Sequence, residues 1–399
     1  MRTLREPKLL VPSKDVDPTL WSVVACDQFT SEPEYWAKLE ALVGDAPSTL
    51  RLIYPEAYIG KIDFEQKLDD IAKNMRSYYH NGIVEPLNSF VLCERKMSNG
   101  KIRRGLIAEL DLEDYDPFGT LSVRATEKTV KERLPLRMRI RRGAIMELPH
   151  ILVLLDDPQK SVIEKLYENK GDLLYSFPLN MEGGYLKGYK LDKSLTQKVF
   201  DDFEKNRSGR SSFYLAVGDG NHSLAAAREN WLEIKKSLSN EEIQTHPARF
   251  ALVEVVNLFE DSLSFEPIHR VVFDAKEDFL KDFPNDKVGT EIVIFDKGQK
   301  KSVYLKGTGP EMIARIQEYL DEYLKKHDGT TQDYVHGYDN LLKVSKSALG
   351  LVMPSVDKDS MFSYIQQNGV LTRKSFSMGE AVDKRYYYES RLIVPEREA

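Results

Sequence analysis

The sequence is poor in cysteine. Cys26 and Cys93 are the only two in 399 residues, too few for a disulfide framework, and neither sits in the C-x-x-C spacing of a metal or redox site. Long hydrophobic runs are missing as well: Ile151-Leu152-Val153-Leu154-Leu155 is among the longest, far short of the ~20 residues that span a bilayer. Met1-Arg2-Thr3-Leu4-Arg5-Glu6 has no signal-peptide apolar stretch behind it, so the expectation is a cytoplasmic protein that does not engage a membrane. The absence of G-x-x-x-x-G-K-[ST] excludes a P-loop, and no His-x-x-x-His pair offers a dedicated transition-metal site. No internal repeat, low-complexity tract or Gly/Ser/Pro-rich linker divides the chain. Excess charge is also small, since 57 Lys and Arg against 63 Asp and Glu leave 57 − 63 = −6, and no nucleic acid is expected as a partner.

What is present is enough to build cores, with 41% hydrophobic and 10% aromatic residues. The length suggests two or three domains, with soft boundaries: an N-terminal α+β region over 1–120, a central core over 121–270 and a C-terminal α+β region over 271–399. Residues 88–95 and 101–112 flank Ser98-Asn99-Gly100 as a β-hairpin, and 290–306 forms a second across Gly298. Residues 195–206 and 310–327 carry helical spacing.

The best-defined unit spans 213–258. Phe213-Tyr214-Leu215-Ala216-Val217 reads as a strand, and Gly218-Asp219-Gly220-Asn221-His222-Ser223 as a tight polar turn. Leu224, Ala227, Trp231, Ile234 and Leu238 mark a helix face, and Phe250 to Leu258 another strand. Such a turn leaves the helix's first N–H groups unpaired at the positive end of its dipole, a receptive place for phosphate. The Rossmann fingerprint is not met, because Ser223 stands where its third glycine belongs and the stretch near Ser239 is helical rather than the acidic end of a strand. The alternative is a purely structural turn with Asp219 or Asn221 as helix cap. His222 beside Asp219 places donor and acid/base groups at the same helix end.

Other candidates are cationic. Arg133, Arg137, Arg139, Arg141 and Arg142 form the densest basic stretch, in which Arg137 and Arg141 share a face whether it is helix or strand. Guanidinium forks suit phosphate oxygens, although a solvated charged face fits the pattern too. Arg124 and Glu127 lie just upstream. His269-Arg270 follows Pro267, and Lys374-Ser375 opens a segment that mixes hydroxyls, glycine and cations as an anion-binding loop does. Asp333–Asn340 is equally polar and aromatic, a packed loop or a site.

Taken in order, Val24-Ala25-Cys26-Asp27-Gln28-Phe29, Arg124-Ala125-Thr126-Glu127-Lys128-Thr129, the Gly218–Ala225 segment, Pro267-Ile268-His269-Arg270 and Lys374-Ser375-Phe376-Ser377 resemble the domain-of-unknown-function family 1015 over nearly the whole chain. The family's central motif is similar to the phosphate-binding turn of the ParB/sulfiredoxin-like superfamily, which includes nucleotide-dependent free-serine kinases. The resemblance implies a mixed α/β (α+β) fold, with a ParB/sulfiredoxin-like core carrying additional α+β segments. It also implies a phosphotransferase using ATP or ADP with Mg²⁺ on a small hydroxyl compound such as serine. A phosphatase on the same phosphoester and a non-catalytic nucleotide-binding regulator are the alternatives. Asp219, Glu127 and His222 are then the catalytic candidates, with Asp219 also a metal ligand. Gly220, Asn221, Ser223, Arg124, Arg137, His269, Arg270, Lys374 and Ser375 are the candidates for binding phosphate or substrate. Asn221 replaces the family's more frequent first histidine, and Ser223 stands where the kinases carry a phosphate-clamping arginine, so another cation such as Arg124, Arg137 or Lys374 is required.

Overall fold

A computed structural model describes residues 3–117, 121–129, 134–207, 209 and 211–399; Arg133 of the basic stretch lies outside them. The chain forms two compact units, one of Met1–Ala125, Thr129–Ser262 and Glu380–Ala399, the other of Thr126–Lys128 and Leu263–Gly379. This differs from three consecutive regions. Strand Ile102–Asp111 pairs antiparallel with strand Phe250–Asn257, Leu110 opposite Ala251, so segments 1–120 and 121–270 share one sheet. The boundary expected at 270 falls inside strand Phe265–Phe273. Pairing between strands so far apart in sequence leaves no local signal.

The first unit is built on a ten-stranded mixed sheet. From one edge its strands are Leu173–Pro178, Tyr185–Lys190, Val91–Lys96, Ile102–Asp111, Phe250–Asn257, Leu152–Leu155, Leu215–Asp219, Val123–Ala125 and Tyr115–Asp116, with Leu4–Arg5 also on Ile102–Asp111. The central strands are apolar on consecutive positions because both faces are covered. Leu92, Leu106, Val153, Val217 and Val253 point into one core with Phe200, Leu224 and Trp231 of the helices Lys193–Asn206 and Asn221–Lys235. Val91, Cys93, Ile107 and Leu252 point into the other, with Trp21, Trp36, Met75 and Tyr387.

The second unit holds a six-stranded antiparallel sheet of Gln299–Leu305, Thr290–Asp296, Leu349–Leu351, Phe265–Phe273 and Thr331–His336, with Phe376–Met378 on the start of Phe265–Phe273. Helix Gly309–Lys326 buries Met312, Ile313, Ile316 and Leu320 at three-then-four spacing. The 333–340 segment is the end of strand Thr331–His336 followed by helix Tyr338–Val344. No helix among the described residues is long and apolar enough to cross a membrane.

Candidate functional site

Strand Leu215–Asp219 is buried through Val217 and emerges half-buried at Gly218 and Asp219. The chain then reverses through Gly220 in the left-handed region (φ 80°, ψ 22°) and enters helix Asn221–Lys235 at once. Glycine is required there twice over, by the positive φ and because a Cβ would sit 3.0 Å from the Ile151 Cα. The first helical bond runs from the Leu224 N–H to the Gly220 carbonyl at 3.0 Å. The N-cap position is held by Gly220, which has no side chain to cap the helix, so neither Asp219 nor Asn221 is the N-cap residue. The Asp219 Oδ1 accepts the N–H of Gly220 at 3.0 Å, while its Oδ2 meets the Lys384 ammonium at 3.1 Å. The Asn221 Oδ1 is buried without a hydrogen-bond partner, and His222 is half-buried in the same first turn.

A polar chain runs back from the helix start. Ser223 Oγ and His150 Nε2 are 2.8 Å apart, His150 Nδ1 and the Tyr387 hydroxyl 3.0 Å apart, and that hydroxyl accepts the N–H of Cys26 at 3.1 Å. Burial works against ionisation of the neighbouring Asp27. His150, the Gln28 amide, Lys384 and Arg137 together outweigh it and hold the Asp27 carboxyl below the usual aspartate range. Burial, aided by Asp27, pushes the Cys26 thiol up to about 12, which removes it as a nucleophile at neutral pH.

The basic stretch is a helix, Leu134–Arg142, and each described arginine has a carboxylate. Arg137 pairs with Glu56, Arg139 with Glu65, Arg141 with Glu147 at 2.6 Å and Arg142 with Glu233 at 2.9 Å. Arg137 and Arg141, the co-facial pair, line one cavity together with Ser223 and His150. Arg124 lies opposite Ala216, before the turn, with its guanidinium 4.3 Å from the Phe213 ring centroid.

The remaining sequence candidates belong to the second unit, and their visible partners are structural. Glu127 takes the N–H groups of Lys374 at 3.2 Å and Ser375 at 3.0 Å; burial nonetheless raises its pKa. Ser375 Oγ donates to the Thr372 carbonyl at 2.5 Å. Arg270 donates to Gln317 at 2.9 Å and to the carbonyls of Ile268 at 2.5 Å and Lys374 at 3.0 Å, and burial lowers its pKa to about 10. His269 Nδ1 accepts the Met353 N–H at 3.2 Å. Asp219, the expected metal ligand, makes one contact through each oxygen, with the Gly220 N–H and the Lys384 ammonium. Among the described residues no group of three or more His, Cys, Asp or Glu is placed to hold a metal ion.

Sequence reading missed the contributions of Asp27, His150 and Tyr387 and left Lys384 unassigned. Asp27 lay within a segment already singled out, whereas His150, after Leu148-Pro149, carries no local signal.

The molecule is thus a mixed α/β protein whose larger unit presents a strand–turn–helix with glycine at the helix N-cap amid a cluster of ionisable side chains. Residues 10–321 match the family described as "Protein of unknown function (DUF1015)", and the chain belongs to that family. No curated protein matches the chain. Among solved structures, a free serine kinase in complex with AMP is similar at a TM-score of 0.39 and 9% identity, over 73% of this chain and 92% of that one. SbnI with a C-terminal truncation, from Staphylococcus aureus, is similar at 0.37 and 8%, over 68% and 83%. A conserved hypothetical protein from Pyrococcus furiosus is similar at 0.35 and 8%, over 72% and 95%. Likeness at this level assigns no activity.

Proposed function

We propose that the first unit is a small-molecule phosphotransferase with a ParB/sulfiredoxin-like core, taking phosphate from ATP or ADP to a small hydroxyl compound, serine being the acceptor that the sequence resemblance suggests. The observation that carries this reading is the helix start at Gly220: the N-cap residue is a glycine, which brings no side chain of its own and allows close approach of an anion, and the Lys384 ammonium stands on Asp219 beside it. Phosphoryl transfer asks for positioning and charge neutralisation more than for covalent chemistry. The N–H groups of 221–223 receive phosphate oxygens. Lys384 takes the part of the clamp that Ser223 cannot supply. Asp27, held ionised, accepts the proton of the incoming hydroxyl. Mg²⁺ travels with the nucleotide phosphates, since the described residues offer it no ligand set of their own.

A thermal-shift panel of nucleotides, nucleosides and pyrophosphate tests the site. Nucleotide with Mg²⁺ at about 100 times its dissociation constant stabilises the fold by about 2.7 kcal/mol, a rise of about 5 to 10 °C. The parent nucleosides leave the melt unchanged, and Gly220→Val abolishes the response. If no phosphorylated compound shifts the melt, or if Gly220→Val responds as wild type does, the phosphate site is not at this turn. Transfer of the terminal phosphate, γ of ATP or β of ADP, to an added acceptor then separates a kinase from a phosphatase or a binding-only regulator.

A further inference from the structure

Ser223 Oγ and His150 Nε2 lie 2.8 Å apart, a hydroxyl nucleophile beside a base. A capping role does not account for the contact, because Ser223 lies past the N-cap, within helix Asn221–Lys235, and its hydroxyl meets a ring 73 positions away. Both side chains are half-buried and line one cavity of about 150 Å³ in the first unit, so the pair is open to a ligand and not sealed in the core. An engineered cavity of that size holds benzene, and a phosphoryl group is smaller. Helical Cα–Cβ bonds tilt toward the N-terminus. Ser223 Oγ therefore leans toward the end at which the N–H groups of Asn221, His222 and Ser223 precede the first helical bond.

The imidazole is oriented from its far side. The Tyr387 hydroxyl donates to the Cys26 sulfur, one of the contacts that counter the burial of that thiol, and its oxygen accepts the Cys26 N–H at 3.1 Å. Toward His150 Nδ1, 3.0 Å away, that oxygen is left as an acceptor. Nδ1 then carries the proton, and Nε2 offers its lone pair to the Ser223 O–H. A proton taken from Ser223 makes His150 cationic, and Asp27 is placed to offset that charge: burial opposes its ionisation, and His150 is the largest of the attractions that overcome it. Nucleophile, base and a carboxylate that stabilises the charged base are thus assembled in that order.

We propose that Ser223 is a covalent nucleophile, which takes the terminal phosphoryl group of the nucleotide as a phosphoserine and then passes it to the acceptor; this rests on the phosphotransferase reading and divides its reaction into two steps. In the first, a bond forms between Ser223 Oγ and the terminal phosphorus as the bond from that phosphorus to its bridging oxygen breaks. The Ser223 proton goes to His150 Nε2, and the shortened nucleotide leaves. In the second, the acceptor hydroxyl attacks the phosphoserine and gives its proton to Asp27, while Ser223 Oγ leaves and recovers its proton from His150. Two steps account for two proton acceptors at one helix start.

The test incubates the full chain with Mg²⁺ and ATP or ADP carrying a radioactive terminal phosphate, without acceptor, and quenches in acid. Wild type should hold acid-stable label, located on Ser223 by peptide mass spectrometry, and should exchange labelled nucleotide product into the donor, which direct transfer cannot do without acceptor. Ser223→Ala should lose both label and exchange with nucleotide affinity unchanged. His150→Gln should be labelled at least about a hundredfold more slowly, again with affinity unchanged, and Ser223→Ala decides the question if His150→Gln does not fold. The proposal is overturned, and nucleotide binding at the turn retained, if nucleotide binds without labelling the protein, if the label lies on another residue, if it forms without exchange, or if Ser223→Ala transfers phosphate as wild type does. If no nucleotide shifts the melt, the phosphotransferase reading falls and takes the proposal with it.

Discussion

At Asp219 one carboxylate both closes the turn and holds a cation, and the two roles can be separated. Asp219→Asn keeps an oxygen for the Gly220 N–H but loses the charge that positions Lys384. The ion pair is partly exposed, with side chains 13% and 23% accessible, so its loss should cost no more than about 1 kcal/mol of stability. Phosphoryl transfer should fall by at least about two orders of magnitude, because the cation at the phosphate is no longer fixed. Full turnover in the folded variant would leave Asp219 as a turn residue only. His269, by contrast, should reveal itself through stability. Burial, with Arg270 and His336 nearby, lowers its pKa from 6.5 to about 4, so between those values the unfolded chain binds the proton and the native state does not. The native state is therefore favoured fully above about pH 6.5 and loses roughly 3 kcal/mol as the pH falls toward 4. In His269→Asn, which retains an acceptor for the Met353 N–H, the difference in hydrogen-exchange protection of strand Phe265–Phe273 between pH 7 and pH 4.5 should shrink. An unchanged difference would place the acid sensitivity elsewhere.

Within helix Leu134–Arg142 the two faces have different work. Arg137 lines the cavity and helps to keep Asp27 ionised, whereas Arg142 makes an exposed pair with Glu233, the side chains 58% and 45% accessible. Arg137→Ala should weaken a phosphorylated ligand by about 1.5 to 3 kcal/mol, the scale of a charged hydrogen bond, and Arg142→Ala should be silent; equal calorimetric affinities for Arg137→Ala and wild type would return the stretch to a solvated face. That Arg137 and Arg141 share a face was legible in their spacing, as were the elements whose periodicity is local. The expected helices over 195–206 and 310–327 are Lys193–Asn206 and Gly309–Lys326. The hairpins around Gly100 and Gly298 close through glycines at φ 80° and 81°. The strand expected from Phe213 instead spans Leu215–Asp219, because its pairing with Leu152–Leu155 extends through a register shift to the polar Asp219. The site was legible only at its turn. His150 meets Ser223 across 73 positions, and Lys384 reaches Asp219 from beyond the whole second unit; contacts set by tertiary packing leave no spacing to read.

For the molecule as a whole, the order of the chain makes the last 20 residues part of the first unit, although 263–379 belong to the second. Their contribution is large for so short a segment. Tyr386, Tyr387 and Ile393 are almost fully buried in one of the two cores, and the Tyr388 carbonyl accepts the Trp21 indole N–H at 3.0 Å. Arg385 lies buried between Glu254 and Glu389, and Arg391 between Glu109 and Glu147. A chain ending at Gly379 would leave Glu254 with Arg103 alone and Glu147 with Arg141 alone. Each carboxylate keeps one arginine, so the larger loss is apolar: fully burying a side chain contributes about 1.5 to 3 kcal/mol. Losing Tyr386, Tyr387 and Ile393 together therefore removes most of the ~5 to 15 kcal/mol that holds a domain together. The truncated protein should therefore lose the first unit while the second, whose own segments remain intact, keeps its sheet. The readout is selective because Trp21, Trp36 and Trp231, the three tryptophans of the sequence, are all buried in the first unit. Tryptophan emission should be red-shifted and melt without cooperativity, while amides of strands Thr290–Asp296 and Phe265–Phe273 stay protected from exchange. A cooperative tryptophan transition near the wild-type temperature would mean that the tail contributes far less than its burial implies.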